Sequence, residues 1–176
     1  MKSKILLLVT VLILSFVSGC VANSDGTKTV SPTNTVTKVD YDYDEEKAKV
    51  EFEDLGKDHS NTSKGIEVVV FENEKGIKYG FIVSGHSGYA DKGQDIICSA
   101  VSILVINTIN SVDRYTTEKY IKDVKEDGYV KCYLPKLKYG RGSNEAELLV
   151  KSMVSGLEDI QNSYGEEFVR VVYEKD

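Results

Sequence analysis

The residues of this chain that could do chemistry together lie in one glycine-rich stretch, GHSGYADKGQDIIC, residues 85–98. His86 and Cys98 stand twelve positions apart in it, and the whole chain has only two histidines and three cysteines. A thiol becomes a nucleophile when a histidine takes its proton, and the same histidine can then protonate a leaving amine. The stretch therefore indicates a Cys/His pair for acyl-transfer chemistry.

The elements on either side of this stretch must position the pair. Residues 77–85, IKYGFIVSG, predict a strand that holds His86 at the end of a sheet. Residues 95–110, DIICSAVSILVINTIN, predict a buried helix with Asp95 as its N-cap. Cys98 then occupies the third helical position, where free N–H groups and the helix dipole favour a thiolate.

Three other uses of these residues stay open on chemistry alone. Cys98 heads an apolar helix and could be a small hydrophobic core residue. A zinc site would have only Cys98, Cys132 and His86 as soft ligands, and no CxxC spacing supports it. A Cys98–Cys132 disulfide would require an exported domain and would make the Cys98 thiol unreactive.

His59 has no second metal ligand nearby in the sequence, so we expect it to be solvated.

The pattern from residue 65 to the end predicts an α+β fold in the order ββαββαβ. The predicted elements are strands 66–71 and 77–85, helix 95–110, hairpin 119–134, a helix from Asn144 and strand 167–174. The hairpins follow from alternating apolar runs with turns between them. Asn144 followed by Glu147 predicts a capping box for the second helix. These features are typical of a mainly antiparallel sheet packed with two helices.

The first twenty residues, MKSKILLLVTVLILSFVSGC, resemble a bacterial lipoprotein signal. Two lysines precede an apolar run, and small residues lead to Cys20. The pattern predicts a signal over residues 1–19, lipidation at Cys20 and a membrane anchor. Residues 20–64 are dominated by Ser, Thr, Asn and charged residues, which predicts a polar tether ahead of a domain of residues 65–176.

The net charge of the chain limits the kinds of molecule that it is expected to bind. The chain has 28 acidic and 22 basic residues, a formal net charge of −6. Nucleic-acid-binding surfaces are usually basic, so we expect no direct contact with nucleic acid. An acidic protein can still attract a basic peptide.

The segment FIVSGHSGYADKGQDIICSAVSIL, residues 81–104, resembles the signature of the bacterial ribosomal-processing cysteine protease family, Prp. The matching residues are Gly85, His86, Gly88, Tyr89, Ala90, Gly93, Asp95, Ile96, Cys98 and Ser102. The resemblance extends to the opening hairpin, the Glu-Asp-Gly-Tyr turn and the segment SGLEDIQNSYGEEFVRV near the C-terminus. It therefore spans the whole predicted domain.

The resemblance implies a cysteine peptidase of α+β fold that tends to form homodimers. We expect no cofactor and no metal. Family members remove the N-terminal extension of a large-subunit ribosomal protein, cutting after an aromatic residue. Carried over, Cys98 is the nucleophile and His86 the general base, with Gly85, Asp95 and Ser102 supporting the site. A helix cap explains Asp95 equally well, so no third catalytic carboxylate is assigned. The loop between His86 and Asp95 is expected to close over substrate.

The lipoprotein signal conflicts with the family's cytoplasmic role, because ribosome assembly takes place on the other side of the membrane. If the signal is used, the protein is membrane-anchored and extracytoplasmic; if the family role is retained, it is cytoplasmic. One alternative is an anchored paralogue with a different peptide substrate. Others are a non-catalytic binding domain and a metal-binding or redox lipoprotein.

Overall fold

The computed structural model describes residues 43–57 and 64–176. The elements of these two stretches are α1 (Glu45–Asp54), β1 (Gly65–Glu72), β2 (Lys78–His86), α2 (Ile96–Tyr115), β3 (Ile121–Lys125), β4 (Tyr129–Tyr133), the short α3 (Pro135–Lys138), α4 (Asn144–Tyr164) and β5 (Val169–Lys175). From β1 onward the two long helices and the five strands follow the predicted ββαββαβ order.

Five strands form one sheet in the order β3-β4-β2-β1-β5. β1–β2, β2–β4 and β3–β4 pair antiparallel, and β1–β5 pair parallel. β1 lies inside the sheet and is buried on both faces, which explains its unbroken apolar run, Val68 to Phe71. The α+β, mainly antiparallel prediction is confirmed.

Helices α2 and α4 cover one face of this sheet. On α2, Ile97, Val101, Val105 and Ile109 recur every four residues and are buried in the core. The helices approach closely where Gly156 of α4 faces Leu104 of α2, since a Cβ there would lie 3.1 Å from a Leu104 methyl carbon. Among the described residues, α2 is the one helix that is long and apolar enough to cross a membrane, a criterion of length and composition only.

Residues 43–57 differ from the polar tether predicted for residues 20–64, because α1 packs on the domain. Ala48, Phe52 and Leu55 are buried, although most of the residues around them are charged. Glu51 accepts hydrogen bonds from Tyr133 and Tyr139, which ties the helix to the end of β4 and to the residue that follows α3. The prediction was wrong for these residues because three apolar residues at helical spacing are enough to stabilise a helix when they can pack on an apolar surface of the domain.

The surface beneath α1 is the sheet face opposite α4. Tyr173 donates to Glu158 of α4, and its register places it on the same face as Phe81. Ile82 is the next residue along β2, so it points the other way. A Cβ on Gly56, just after α1, would clash with the Ile82 side chain, so the chain at this end of α1 lies directly against β2.

The helix N-termini test two capping predictions. Asp95 caps α2, as predicted, and the helix runs to Tyr115 rather than to residue 110. The capping box from Asn144 is wrong by one residue, because Ser143 is the N-cap of α4 and its hydroxyl accepts from the Ala146 N–H. Ser and Asn cap equally well, so neighbouring candidates cannot be separated by residue type.

Candidate active site

Four segments meet at one end of the sheet: the end of β2, the loop after it, the first turn of α2 and the β3–β4 turn. They enclose a cleft of about 590 Å³. Its lining residues are His86, Gly88, Ala90, Lys92, Gly93, Asp95, Cys98, Ser99, Glu126 and Asp127. The structure thus brings His86 and Cys98 together in one cleft.

Cys98 lies at the third residue of α2 and is partly exposed. Its main-chain N–H donates to Asp95 Oδ1 at 2.9 Å, the N-cap hydrogen bond. The main-chain N–H of Ser87 donates to Cys98 Sγ at 3.3 Å. The thiol thus faces the loop after β2 from the first turn of α2.

Asp95 joins the active-site loop to the helix and is 8% exposed. Ser87 Oγ donates to its Oδ2 at 2.5 Å, and the Ala90 N–H adds a further hydrogen bond. Burial by itself opposes ionisation, but the hydrogen bonds from Ser87, Cys98 and Ala90 outweigh it and hold the pKa of Asp95 below its usual value. The partners of this carboxylate in the described residues belong to the loop and the helix, not to His86.

His86 is the last residue of β2 and is paired with Gly65 of β1. Its exposed ring lies against Gly128 in the β3–β4 turn, where an added Cβ would come within 3.3 Å of the ring Cε1 and 2.9 Å of the Gly85 carbonyl oxygen. Gly128 also has φ 80°, in the left-handed region. Glycine is therefore needed both for the turn and for the space beside His86.

Aromatic side chains hold the loop that follows His86. The Tyr89 ring stacks edge-to-face with Tyr164 at 5.9 Å and with Phe168 at 5.3 Å between centroids. Tyr164 ends α4 and Phe168 precedes β5, so these contacts attach the loop to the connection between α4 and β5. Edge-to-face pairs of this kind contribute about 0.5–1.5 kcal/mol each.

The second thiol of the domain is placed differently. Cys132 lies on β4 inside the core, 2% exposed, and burial raises the pKa of its thiol to about 12. Cys98 and Cys132 are both free thiols. In the described stretches no three His, Cys, Asp or Glu side chains cluster as metal ligands would.

A family model, the cysteine protease Prp, matches residues 66–169, more than half of the 176-residue chain. The chain belongs to the Prp cysteine protease family. Within Prp, the ribosomal processing cysteine protease of Bacillus subtilis is 31% identical over 93 residues, 52% of this chain and 82% of that protein. The protein of the same name from Staphylococcus aureus strain Mu50 is 24% identical over 101 residues, 57% of this chain and 92% of that protein.

Solved Prp structures share the fold. Staphylococcus aureus Prp with a covalently linked product peptide superposes with a TM-score of 0.58 at 24% identity, covering 62% of this chain and 99% of that one. The same protease with a substrate peptide gives 0.54 at 23% identity, with equal coverage. Membership of Prp makes this chain a cysteine-type peptidase. Helix α1 precedes the first residue that the family model matches.

The residues predicted for the site are placed as follows. His86, Asp95 and Cys98 line the cleft, and Gly85 adopts φ 94° just before His86. Ser102 is exposed on α2, one turn beyond Cys98, and is not among the cleft-lining residues. Cys20, like His59, lies outside the described residues.

Sequence reasoning missed Ser87, Glu126 and Asp127. Ser87 stands beside His86 in the motif, but only its contacts with Asp95 and Cys98 reveal its place in the site. The acidic pair belongs to the Glu-Asp-Gly-Tyr turn, which was part of the resemblance. A turn about forty residues from His86 carries no local signal that it reaches the same cleft.

Proposed function

We propose that Cys98 is the nucleophile and His86 the general base of a peptidase that trims the N-terminus of a protein substrate. The main support is the hydrogen bond from the Ser87 N–H to Cys98 Sγ, in the cleft that His86 also lines. Cys132 is the contrasting case, because it is 2% exposed in the core and is not among the residues that line this cleft.

The reaction follows from these positions. His86 takes the proton of the Cys98 thiol, the resulting thiolate attacks the scissile carbonyl carbon, and a C–S bond forms as the carbonyl π pair moves to oxygen. The tetrahedral intermediate collapses, the C–N bond breaks, and the leaving amine takes the proton from His86. Water, deprotonated by His86, then hydrolyses the thioester and releases Cys98.

For the substrate, we propose the N-terminal extension of a large-subunit ribosomal protein, because the relatives named above are ribosomal processing proteases. A second candidate is an extracytoplasmic peptide, which the signal-like residues 1–19 and Cys20 favour. Membrane anchoring through Cys20 belongs to this second proposal. Homodimerisation is proposed from the family resemblance, and sedimentation of the purified protein tests it.

The deciding experiment uses the full-length chain in detergent and a peptide copying the N-terminus of the host's ribosomal protein. Cleavage is followed by mass spectrometry for the wild type, Cys98→Ala and Cys132→Ala. We expect cleavage by the wild type, none by Cys98→Ala, and nearly normal cleavage by Cys132→Ala, since that thiol is buried and unreactive. Cleavage that survives Cys98→Ala would refute the assignment of the nucleophile.

Location is tested separately. Incorporation of labelled fatty acid into the wild type but not into Cys20→Ser, with the wild type in the membrane fraction, is the result expected for an anchored protein. An anchored protein that leaves the ribosomal peptide intact, yet carries a rapidly alkylated Cys98, would favour the extracytoplasmic substrate. An unlabelled, cytosolic protein that cuts the ribosomal peptide would favour the family role.

A further inference from the structure

Acyl transfer at Cys98 requires a hydrogen-bond donor for the oxyanion, and the structure limits which group can supply it. In many enzymes the main-chain N–H of the nucleophile fills this role. Here the Cys98 N–H donates to Asp95 Oδ1 at 2.9 Å. That carboxylate is buried and held in its charged form by its other donors, so the Cys98 N–H is committed to the helix cap.

We propose that the main-chain N–H of Ser87 is the oxyanion donor, an inference that rests on the proposed role of Cys98. This N–H lies 3.3 Å from Cys98 Sγ and points at it. The oxyanion of a tetrahedral intermediate is only two bonds from the attacking sulfur, so a donor in contact with Sγ is within reach of it. Ser87 is thus a catalytic residue acting through its main chain.

The donor serves two stages of one reaction. Before the reaction the Ser87 N–H donates to Sγ, and it stays on the sulfur when His86 takes the thiol proton. When the C–S bond forms, the negative charge passes to the former carbonyl oxygen, and the same N–H follows it by a small shift. When the C–N bond breaks, the pair returns to the carbonyl and the amine departs with the proton from His86.

The Ser87 side chain explains why this N–H is held in place. Ser87 is 4% exposed, and its hydroxyl donates to Asp95 Oδ2 at 2.5 Å while accepting from the Tyr89 N–H at 3.2 Å. Asp95 therefore holds the nucleophile through one oxygen and the proposed oxyanion donor through the other. A preorganised donor needs no reorganisation when charge develops.

The experiment compares two full-length proteins that differ in one main-chain group. The first is Ser87→Ala, and the second carries lactic acid at position 87, introduced by nonsense suppression, which keeps the methyl side chain but replaces the N–H by an ester oxygen. Each is assayed for peptide cleavage, for hydrolysis of a p-nitrophenyl ester and for iodoacetamide alkylation at Cys98, mapped by mass spectrometry. Alkylation needs the thiolate but forms no oxyanion.

We expect the ester to lower kcat by about 10²–10³-fold relative to Ser87→Ala, the cost of one oxyanion donor, with KM within about threefold. Alkylation should slow far less. A kcat that falls only as much as alkylation does would overturn the proposal, because the N–H would then serve the thiolate alone. An unchanged kcat would overturn it too.

Two further arms keep the outcomes distinct. If the peptide is not cut but the p-nitrophenyl ester is hydrolysed with the expected dependence on the main-chain N–H, the oxyanion assignment stands and the proposed peptide substrate fails. If the wild type hydrolyses neither through Cys98, both proposals fall. Should Ser87→Ala not fold, the same ester is introduced with the serine side chain kept, as glyceric acid, and compared with the wild type.

Discussion

Phe52 anchors α1, and replacing it by alanine tests whether this helix is part of the folded domain. The Phe52 side chain is 9% exposed and sits with Ala48 and Leu55 in the hydrophobic core. Truncating a buried phenylalanine costs about 3–5 kcal/mol, through lost burial and the cavity left behind. If residues 43–57 were a tether, the same change would cost nearly nothing.

A second contact places the expected cost toward the upper end of that range. The Lys131 ammonium lies 4.6 Å from the centre of the Phe52 ring, a cation–π contact, and Lys131 is 7% exposed. Removing the ring also removes about 0.5–2 kcal/mol of cation–π stabilisation. We therefore expect Phe52→Ala to cost about 4–5 kcal/mol.

The assay is urea unfolding of the full-length protein followed by far-UV circular dichroism, which suits a chain without tryptophan. Val50→Ala is the matched control, because Val50 lies on the same helix and is 61% exposed. Its cost should stay within about 0.5 kcal/mol. Since domains are stable by only about 5–15 kcal/mol, Phe52→Ala should shift the midpoint strongly. Coincident curves for Phe52→Ala and Val50→Ala would refute the packing of α1.

Two further predictions concern the site. Gly128→Ala should cost about 1–2 kcal/mol from the left-handed backbone, with a further cost from the contact with the Gly85 carbonyl oxygen, and should lower kcat by displacing His86. Gly76→Ala has a similar φ of 74° but open space around it, so in thermal unfolding it should show the backbone cost alone and should keep full activity; equal losses of kcat would contradict the argument. Because the folded pKa of Asp95 is lowered, its ionised form stabilises the fold above the usual Asp pKa, and this contribution is lost as pH falls through the lower folded value. The stability difference between wild type and Asp95→Asn should therefore shrink in acid, and a difference independent of pH would exclude that role.

The start of α2 and the order of strands and helices along the chain could be predicted because each depends on neighbours in the chain. Asp95 caps α2 three residues before Cys98, so residue type and spacing were enough to place the thiol in the first turn. Alternation of apolar residues was likewise enough to predict β1 and β2, and the long motif indicated the family that the comparisons then showed. The error at Ser143, by one residue, is of the size that adjacent capping residues produce.

Contacts between distant segments were decided only by the tertiary structure. Phe52 of α1 lies against Lys131 of β4, and Leu55 just after the helix lies against Gly80 of β2, so a pattern diluted by charge looked like a tether. Gly128 meets His86 across about forty residues of chain, a pairing set by strand register rather than by either local sequence. Sequence alone thus determined which residues have reactive side chains and which helices and strands carry them. Packing decided how those groups face one another, because that orientation is the sum of many contacts between residues far apart in the chain.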